Sequence, residues 1–438
     1  MTEQIKPSGI DWIGNIPLNW NAKKVKYVIS DIKDGTHGTF DRVESGELLL
    51  SAKNVFDDGI RIGENESEIS IADYKSIVSN GFPKRNDVLL CCVGTIGRCC
   101  VYEYDQSMAF QRSVTFLRPL QQTNARYLKY ALQSDSTLVQ EQLLINKSAQ
   151  DGLYMGSVRE LIIPYPNSKS EQQAIAEFLD KECAQIDSIA ADLEKQIELL
   201  QQYKKSLITE TVTKGLDKTV PMKDSGVEWL GKIPEHWDVE PIKYRVTFHN
   251  GDRGENYPSK SELQSEGIPF INAGHLEGDG LNMDNMDYIS EEKYRIMGGV
   301  KLRSGDILYC LRGSVGKNAI VDMNQGTVAS SLVAIRSVRI SAKYLYYCLN
   351  SHIEEVQRYL WDNGTAQPNL SADNLGKYKI CIPPVEEQMT IVEYLNNICS
   401  QIDNLIIGKR KQLSTIQQHK KSLIYEYVTG KKRVKEVR

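Results

Sequence analysis

Leucine and isoleucine recur at every seventh position through two long polar stretches of the chain. Across residues 171–213 the series is Leu179, Ile186, Leu193, Leu200 and Leu207. Across 387–429 it is Leu395, Ile402, Ile416 and Leu423, with Lys409 interrupting. A heptad sustained over more than three repeats predicts coiled-coil helices. Acids crowd the start of the first helix (Glu171, Glu177, Asp180, Glu182, Asp187), and Lys204, Lys205 and Lys214 lie near its end, the order that the helix dipole favours. The second helix gathers Lys409, Arg410, Lys411, Lys420 and Lys421 in its C-terminal half. Those bases face the acidic half of the first helix if the two run antiparallel, and that pairing is expected.

Elsewhere the apolar runs are short and bounded by Gly and Asn turns. DVLLCCV (87–93), SVTFLRP (113–119), GDILYCL (305–311) and YKICIP (378–383) read as strands, and a helix is expected near 124–145 and again near 341–361. The parts 21–165 and 238–383 therefore read as α+β bodies, each followed by one long helix. The chain is also written twice. SGIDWIGNIPLNW begins at Ser8 and SGVEWLGKIPEHW at Ser225. NARYLKYALQS (124–134) matches SAKYLYYCLNS (341–351), KSAQDGLYM (147–155) stands opposite GTAQPNLSA (364–372), and QQYKKSLITETVT matches QQHKKSLIYEYVT at ten of thirteen positions. An internal pseudo-two-fold axis relating the copies also makes the two helices antiparallel. The expected division is 1–170, a helix over 171–215, 216–386, and a second helix with a basic tail over 387–438. Trp12, Trp20, Trp229 and Trp237 fall in the repeated starts and are expected to anchor each copy in its core, with contact to a partner subunit as the alternative.

Composition changes this picture little. The chain has 438 residues, is 41% hydrophobic and 25% charged, and carries a net charge of −4. No run of 18 apolar residues suggests a membrane span, and nine cysteines without an export signal point to free thiols in a reducing cytoplasm. The mild negative charge leaves room for a local basic face on nucleic acid. Catalytic chemistry is not evident. RGSVGKN (312–318) has Leu311 and Asn318 where a phosphate-binding P-loop needs Gly and Ser or Thr. Cys91, Cys92, Cys99 and Cys100 lack zinc spacing, and adjacent cysteines in a strand point to opposite faces, so they read as small buried residues. No nucleophile elbow or Gly-rich dinucleotide turn follows a strand.

The polar loops differ most between the copies. KDGTHG (33–38) faces HNGDRG (249–254), SAKNV (51–55) faces NAGHL (272–276), and FQRSV (110–114) faces ASSLV (329–333). Arg and Lys suit guanine edges, Asn and Gln suit adenine, and Ser serves either. The candidates for DNA contact are Thr36, His37, Lys53, Asn54, Gln111 and Arg112 in the first copy. In the second they are Arg253, Asn256, His275, Arg312 and Ser330. VGTIGRC (93–99) and RGSVGKN (312–318) read either as hairpin turns or as backbone loops at a phosphate, with Arg98 and Lys317 as the cations. For any one of these residues, a solvated loop position is the alternative.

Together these features resemble the specificity subunits of type I restriction–modification systems over nearly the whole chain. The carriers are the twin W-x-G-x-IP-x-x-W starts, the segments from Asp87 to Gly97 and from Asp306 to Gly316, and GTAQPNLS followed by IPPVEEQMTIVEYL. The first copy's IPYPNSKSEQQAIAEFL has one extra residue before EQQ and lacks the second adjacent proline. The resemblance implies two target-recognition domains reading the halves of a split double-stranded DNA sequence, with the helices as spacer. It implies two methyltransferase subunits docked on the chain, restriction subunits completing a cleaving complex, and no catalytic centre, metal or cofactor in this chain. The Asn/Asp-Pro-Pro-aromatic motif of such methyltransferases is absent, so S-adenosylmethionine is not expected to bind here. The alternatives are a self-sufficient nuclease or methyltransferase carrying its own recognition domain, against which the missing motor and methyl-transfer motifs count, and a coiled-coil scaffold that reads no sequence.

Overall fold

In the computed structural model the heptad stretches are two uninterrupted helices, Lys169–Lys214 and Val385–Val428. Each begins where prolines end (Pro166; Pro383 and Pro384) and stops at a glycine in the left-handed region, Gly215 at φ 69° and Gly430 at φ 72°. The structure describes residues 4–145, 152–361 and 369–434. They fall into two compact units, Met1–Glu194 with Lys411–Arg438, and Lys195–Arg410. The first contains the start of the first helix and the end of the second, and the second unit holds the remaining halves.

Within each unit the two helix halves run antiparallel. In the first unit Phe178 meets Tyr427 with ring centroids 4.3 Å apart, and Lys420 Nζ donates to Asp187 at 2.6 Å. In the second, Lys204 Nζ lies 2.6 Å from Asp403, and the interrupting Lys409 donates to Gln196 Oε1. Leu179, Ile186, Leu193, Leu395, Ile402 and Leu423 are buried, as the heptad requires. Leu200, Leu207 and Ile416 are only half-buried.

The rest of each unit repeats one plan. Four antiparallel strands take the order Cys99–Val101, Val88–Cys91, Val114–Pro119, Ile29–Asp34 in the first unit. The second gives the corresponding order, Asn318–Ile320, Ile307–Cys310, Leu332–Ser337, Val246–Asn250. Val88–Cys91 and Ile307–Cys310 are buried along their whole length because both faces are covered. Val88, Leu90, Cys92 and Cys99 face a core shared with Tyr127, Leu128 and the long helices, while Leu89, Cys91 and Cys100 face a second core with Phe110 and Phe116. The adjacent cysteines thus do point to opposite faces, and burial pushes the Cys91 thiol up to about 11 and Cys100 up to about 12.

A smaller mixed sheet sits beside the first. It pairs Glu47–Leu50 in parallel with Ala109–Phe110 in the first unit, and Ile268–Ile271 with Thr327–Val328 in the second. The helices expected over 124–145 and 341–361 are each broken in two, as Ala125–Gln133 and Asp135–Leu144, and as Ala342–Leu349 and His352–Trp361. The first break falls at Ser134, which at ψ 141° leaves the helical region and stands at the N-terminal boundary of the next helix.

The repeated motifs are fasteners. Trp20 and Trp237 are fully buried, and their indole N–H groups donate to Glu171 at 3.1 Å and Glu387 at 2.9 Å. The neighbouring Gln172 and Gln388 are buried too. Each accepts a backbone N–H at a helix start, from Asn124 at 2.8 Å and Ser341 at 3.0 Å, and donates to a proline carbonyl, Pro166 or Pro383, at 2.9 Å. The Glu-Gln pair thus ties the long helix, the tryptophan strand and the next helix at one point in each copy. Residues 364–368 of GTAQPNLS, and 147–151 of its partner segment, lie outside the described residues.

Asp87 and Asp306, also repeated, each hold an arginine through two hydrogen bonds: Arg118 at 2.9 and 2.8 Å, and Arg336 at 2.8 and 2.7 Å. Asp87 is 2% exposed and Arg118 27%. Removing the acid leaves a mostly buried guanidinium without its counter-charge, so Asp87→Ala is expected to cost about 3 kcal/mol in urea unfolding. A loss below about 1 kcal/mol would mean that the pair contributes no more than a surface bridge.

Candidate nucleic-acid interface

The strand Ile29–Asp34 leads into Gly35, where an added Cβ would stand 2.2 Å from the carbonyl oxygen of Gln111. Only glycine lets the chain pass that closely. Beyond it, Thr36 N donates to Phe110 O at 2.7 Å, and Arg112 N donates to Thr36 O at 2.9 Å. Gln111 N donates to Leu50 O at 2.8 Å, and Ala52 N to Ser113 Oγ at 3.0 Å. Three loops far apart in sequence, 35–38, 51–55 and 110–113, are thereby stitched together through the backbone, which leaves their side chains free to vary.

The second unit repeats the stitch. A Cβ on Gly251 would stand 2.5 Å from Val328 O, Ala329 N donates to Ile271 O at 2.7 Å, and Arg253 Nη2 donates to Ser330 O at 3.3 Å. Lys317 Nζ reaches Ala273 O at 3.1 Å.

The individual candidates divide by what their side chains already do. Arg112 and Arg312 are exposed and, among the described residues, have no side-chain hydrogen bond or ion pair; Gln111 is half-buried and equally uncommitted. His37 is exposed, with Nε2 3.7 Å from Asp34. Thr36 Oγ1 accepts from Gly38 N at 3.2 Å, Lys53 pairs with Glu66 at 2.7 Å, and Asn256 donates to Ile296 O at 3.1 Å. Ser330 is half-buried.

The side chains of Asn54 and His275 are both buried and engaged within their own loops. Asn54 is 2% exposed, accepts from Ser51 N at 2.9 Å and donates to Arg61 O at 3.1 Å and Glu66 at 2.7 Å. His275, 7% exposed, accepts from Asn272 N at 3.1 Å through Nδ1 and faces Asp287 through Nε2 at 3.6 Å. Each closes a capping box on its own loop. The loops were legible in the sequence, whereas which side chain folds inward was not.

Arg98 and Lys317 leave tight hairpins that join adjacent antiparallel strands, with Gly97 N donating to Cys91 O and Gly316 N to Cys310 O. Arg98 donates to Val55 O at 3.3 Å and lies 4.8 Å from the Phe56 ring centre. It faces a cleft of about 1430 Å³ that also contains Arg126, Asp180 and Lys420, so it is not gathered with Arg112 by the loop stitch. Arg61, which the loop comparison passes over, stacks on the same Phe56 ring at 4.2 Å. Its signal is the Asp-Asp-Gly turn that folds it back. Glu141 lies beneath Gly97, and burial holds its carboxyl up at about 8, so it is largely uncharged at neutral pH. Among the described residues no group of three or more His, Cys, Asp or Glu is placed to hold a metal, and no helix is long and apolar enough to cross a membrane.

The comparisons agree with this architecture. The chain is 26% identical over 437 residues to a Methanocaldococcus jannaschii chain named as the type I restriction enzyme MjaX specificity subunit, covering 97% of this chain and 96% of that one. It is 29% identical over 285 residues, 63% of each chain, to the type I restriction enzyme MjaVIII specificity subunit of the same organism. Its fold matches a chain from a solved type I R-M system, described for complex assembly and conformational transition, with a TM-score of 0.64 and 14% identity over 94% of this chain and 98% of that chain. The family model for the type I restriction modification DNA specificity domain matches residues 50–199 and again 235–415. Two matches over most of the length, on a duplicated α+β framework with paired long helices, place this chain in the type I restriction–modification specificity subunit family.

Proposed function

We propose that the chain reads a two-part double-stranded DNA target, one half per unit, and performs no catalysis of its own. In this reading it is a cytoplasmic scaffold on which two methyltransferase subunits dock, and restriction subunits join them to cleave DNA. The observation that carries the reading is the loop stitch. In each unit the backbone fixes three loops in one arrangement while the residues they present differ, and the first unit's set presents the uncommitted Arg112. A fixed frame with exchangeable polar side chains is what direct readout of base edges requires.

Arg112→Ala tests it. Replacing a guanine-reading arginine is expected to remove about 1–3 kcal/mol of discrimination at one base of one half-site and to leave the other half unchanged. Competition binding against duplexes substituted one position at a time measures this. A uniform loss across all duplexes, with a shallower salt dependence, would make Arg112 a phosphate contact. No loss at all would remove this loop from the interface.

A further inference from the structure

Each unit carries a small hairpin ahead of the helix that covers its sheet. In the first, Val55–Phe56 pairs with Gly59–Ile60 around Asp57 and Asp58; in the second, Leu276–Glu277 pairs with Gly280–Leu281 around Gly278 and Asp279. Each covering helix has a base at its second residue, Arg126 or Lys343. The two bases make different choices. Lys343 Nζ bonds Asp279 at 2.9 Å and so clamps the hairpin to the helix. Arg126 turns the other way, to Asp180 on the long helix at 3.0 Å, and Lys129 joins it there at 3.5 Å.

One atom type accounts for the difference. Asp180 accepts from Tyr130 OH at 2.7 Å, and the repeat places Asn396 in the same position, accepting from Tyr347 OH at 2.7 Å. The geometry is the same in the two copies while the charge is not, so Asn396 offers Lys343 no counter-charge. Asp58 meanwhile pairs with Arg61 at 2.8 Å, both more than 60% exposed, where the second unit has Asn282, bonded to Glu277. The first unit is left with the open cleft between its hairpin, Arg126 and Asp180.

We propose that Asp180 is a positioning residue that keeps the 55–60 hairpin unlatched, whereas Asn396 lets Lys343 latch the hairpin 276–281. The hairpin seats Arg98 through Val55 O and Phe56, so the first unit keeps an adjustable seat for this cation and the second unit's hairpin is pinned. The relevance of that seat to DNA rests on the function proposed above; the latch itself does not.

Hydrogen exchange on the full chain without DNA therefore tests the latch apart from DNA reading. Asp180→Asn combined with Arg61→Asn gives the first unit the second unit's residues at these two positions and leaves Arg126 to take Asp58. Amide exchange over 55–61 is expected to slow about two- to fivefold, the effect of one partly exposed ion pair. Adding Asp58→Asn should abolish the slowing. Asn396→Asp, which preserves the tyrosine hydrogen bond, should draw Lys343 away and speed exchange over 276–282 by a similar factor. Unchanged exchange over 55–61 in the folded double variant, or slowing that survives Asp58→Asn, would overturn the proposal, as would unchanged exchange over 276–282 in Asn396→Asp.

Discussion

Exchanging residues 21–165 for the corresponding segment of another specificity subunit is expected to replace one half of the recognised sequence and leave the other half intact. The graft points suit this. Asn21 and Tyr165 face each other across the ladder between Trp20–Lys24 and Ile162–Pro166, so the segment enters and leaves at one rung. Just outside it, Trp20, Glu171 and Gln172 fasten the helix, and the exchange keeps all three. Inside it lie the four-stranded sheet and the mixed sheet of the first unit and all three stitched loops. Specific binding typically exceeds non-specific binding by about 10³-fold or more, so affinity for the original full target should fall by about that factor and be restored on a hybrid sequence. Binding measured on original, hybrid and unrelated duplexes distinguishes the cases. A change in both halves would show that the two units do not read independently.

The second large effect is expected from the helices. Inserting seven residues after Gln196 and seven after Gln412 keeps every heptad position in phase. It lengthens each helix by about 10 Å at about 1.5 Å per residue. The recognised sequence should then keep both halves and gain about three unspecified base pairs between them, at about 3.4 Å each. An insertion of four residues breaks the heptad phase, so the apolar seams on the two sides of the insertion no longer share one face of the helix. That variant should lose stability and specific binding. An unchanged spacing in a stable, active seven-residue variant would show that the helices do not set the distance.

How much of this was legible in the sequence depended on the period of the signal. The long helices announced themselves because Leu179 through Leu207 repeat at a spacing that only a paired helix explains, and the opposed charges gave their direction before Lys420 and Asp187 were seen in contact. The strands were legible at their apolar centres, such as Val88–Cys91. The breaks at Ser134 and Ser351 were not, because the amphipathic pattern runs on through both serines and gives no local sign that the chain turns there. The loops were found by comparing the two copies, since the differences collect where the backbone does the holding. Side-chain fates within them were hidden. Asn54 and Arg112 are both polar loop residues, and only the approach of Glu66 and Arg61 O decides that Asn54 turns inward. The contrast between Asp180 and Asn396 was present in the letters, but its meaning required the positions of Arg126 and Lys343.

The central claim is that this chain supplies the sequence specificity and its partners supply the chemistry. The most direct measurement is methylation-sensitive sequencing of a host that carries the chain together with its methyltransferase subunit, compared with hosts carrying either alone. The account predicts one modified sequence made of two unlike halves around an unspecified spacer, present only when both proteins are present. Modification by this chain without a partner, or the same modified sequence from the methyltransferase without this chain, would contradict it.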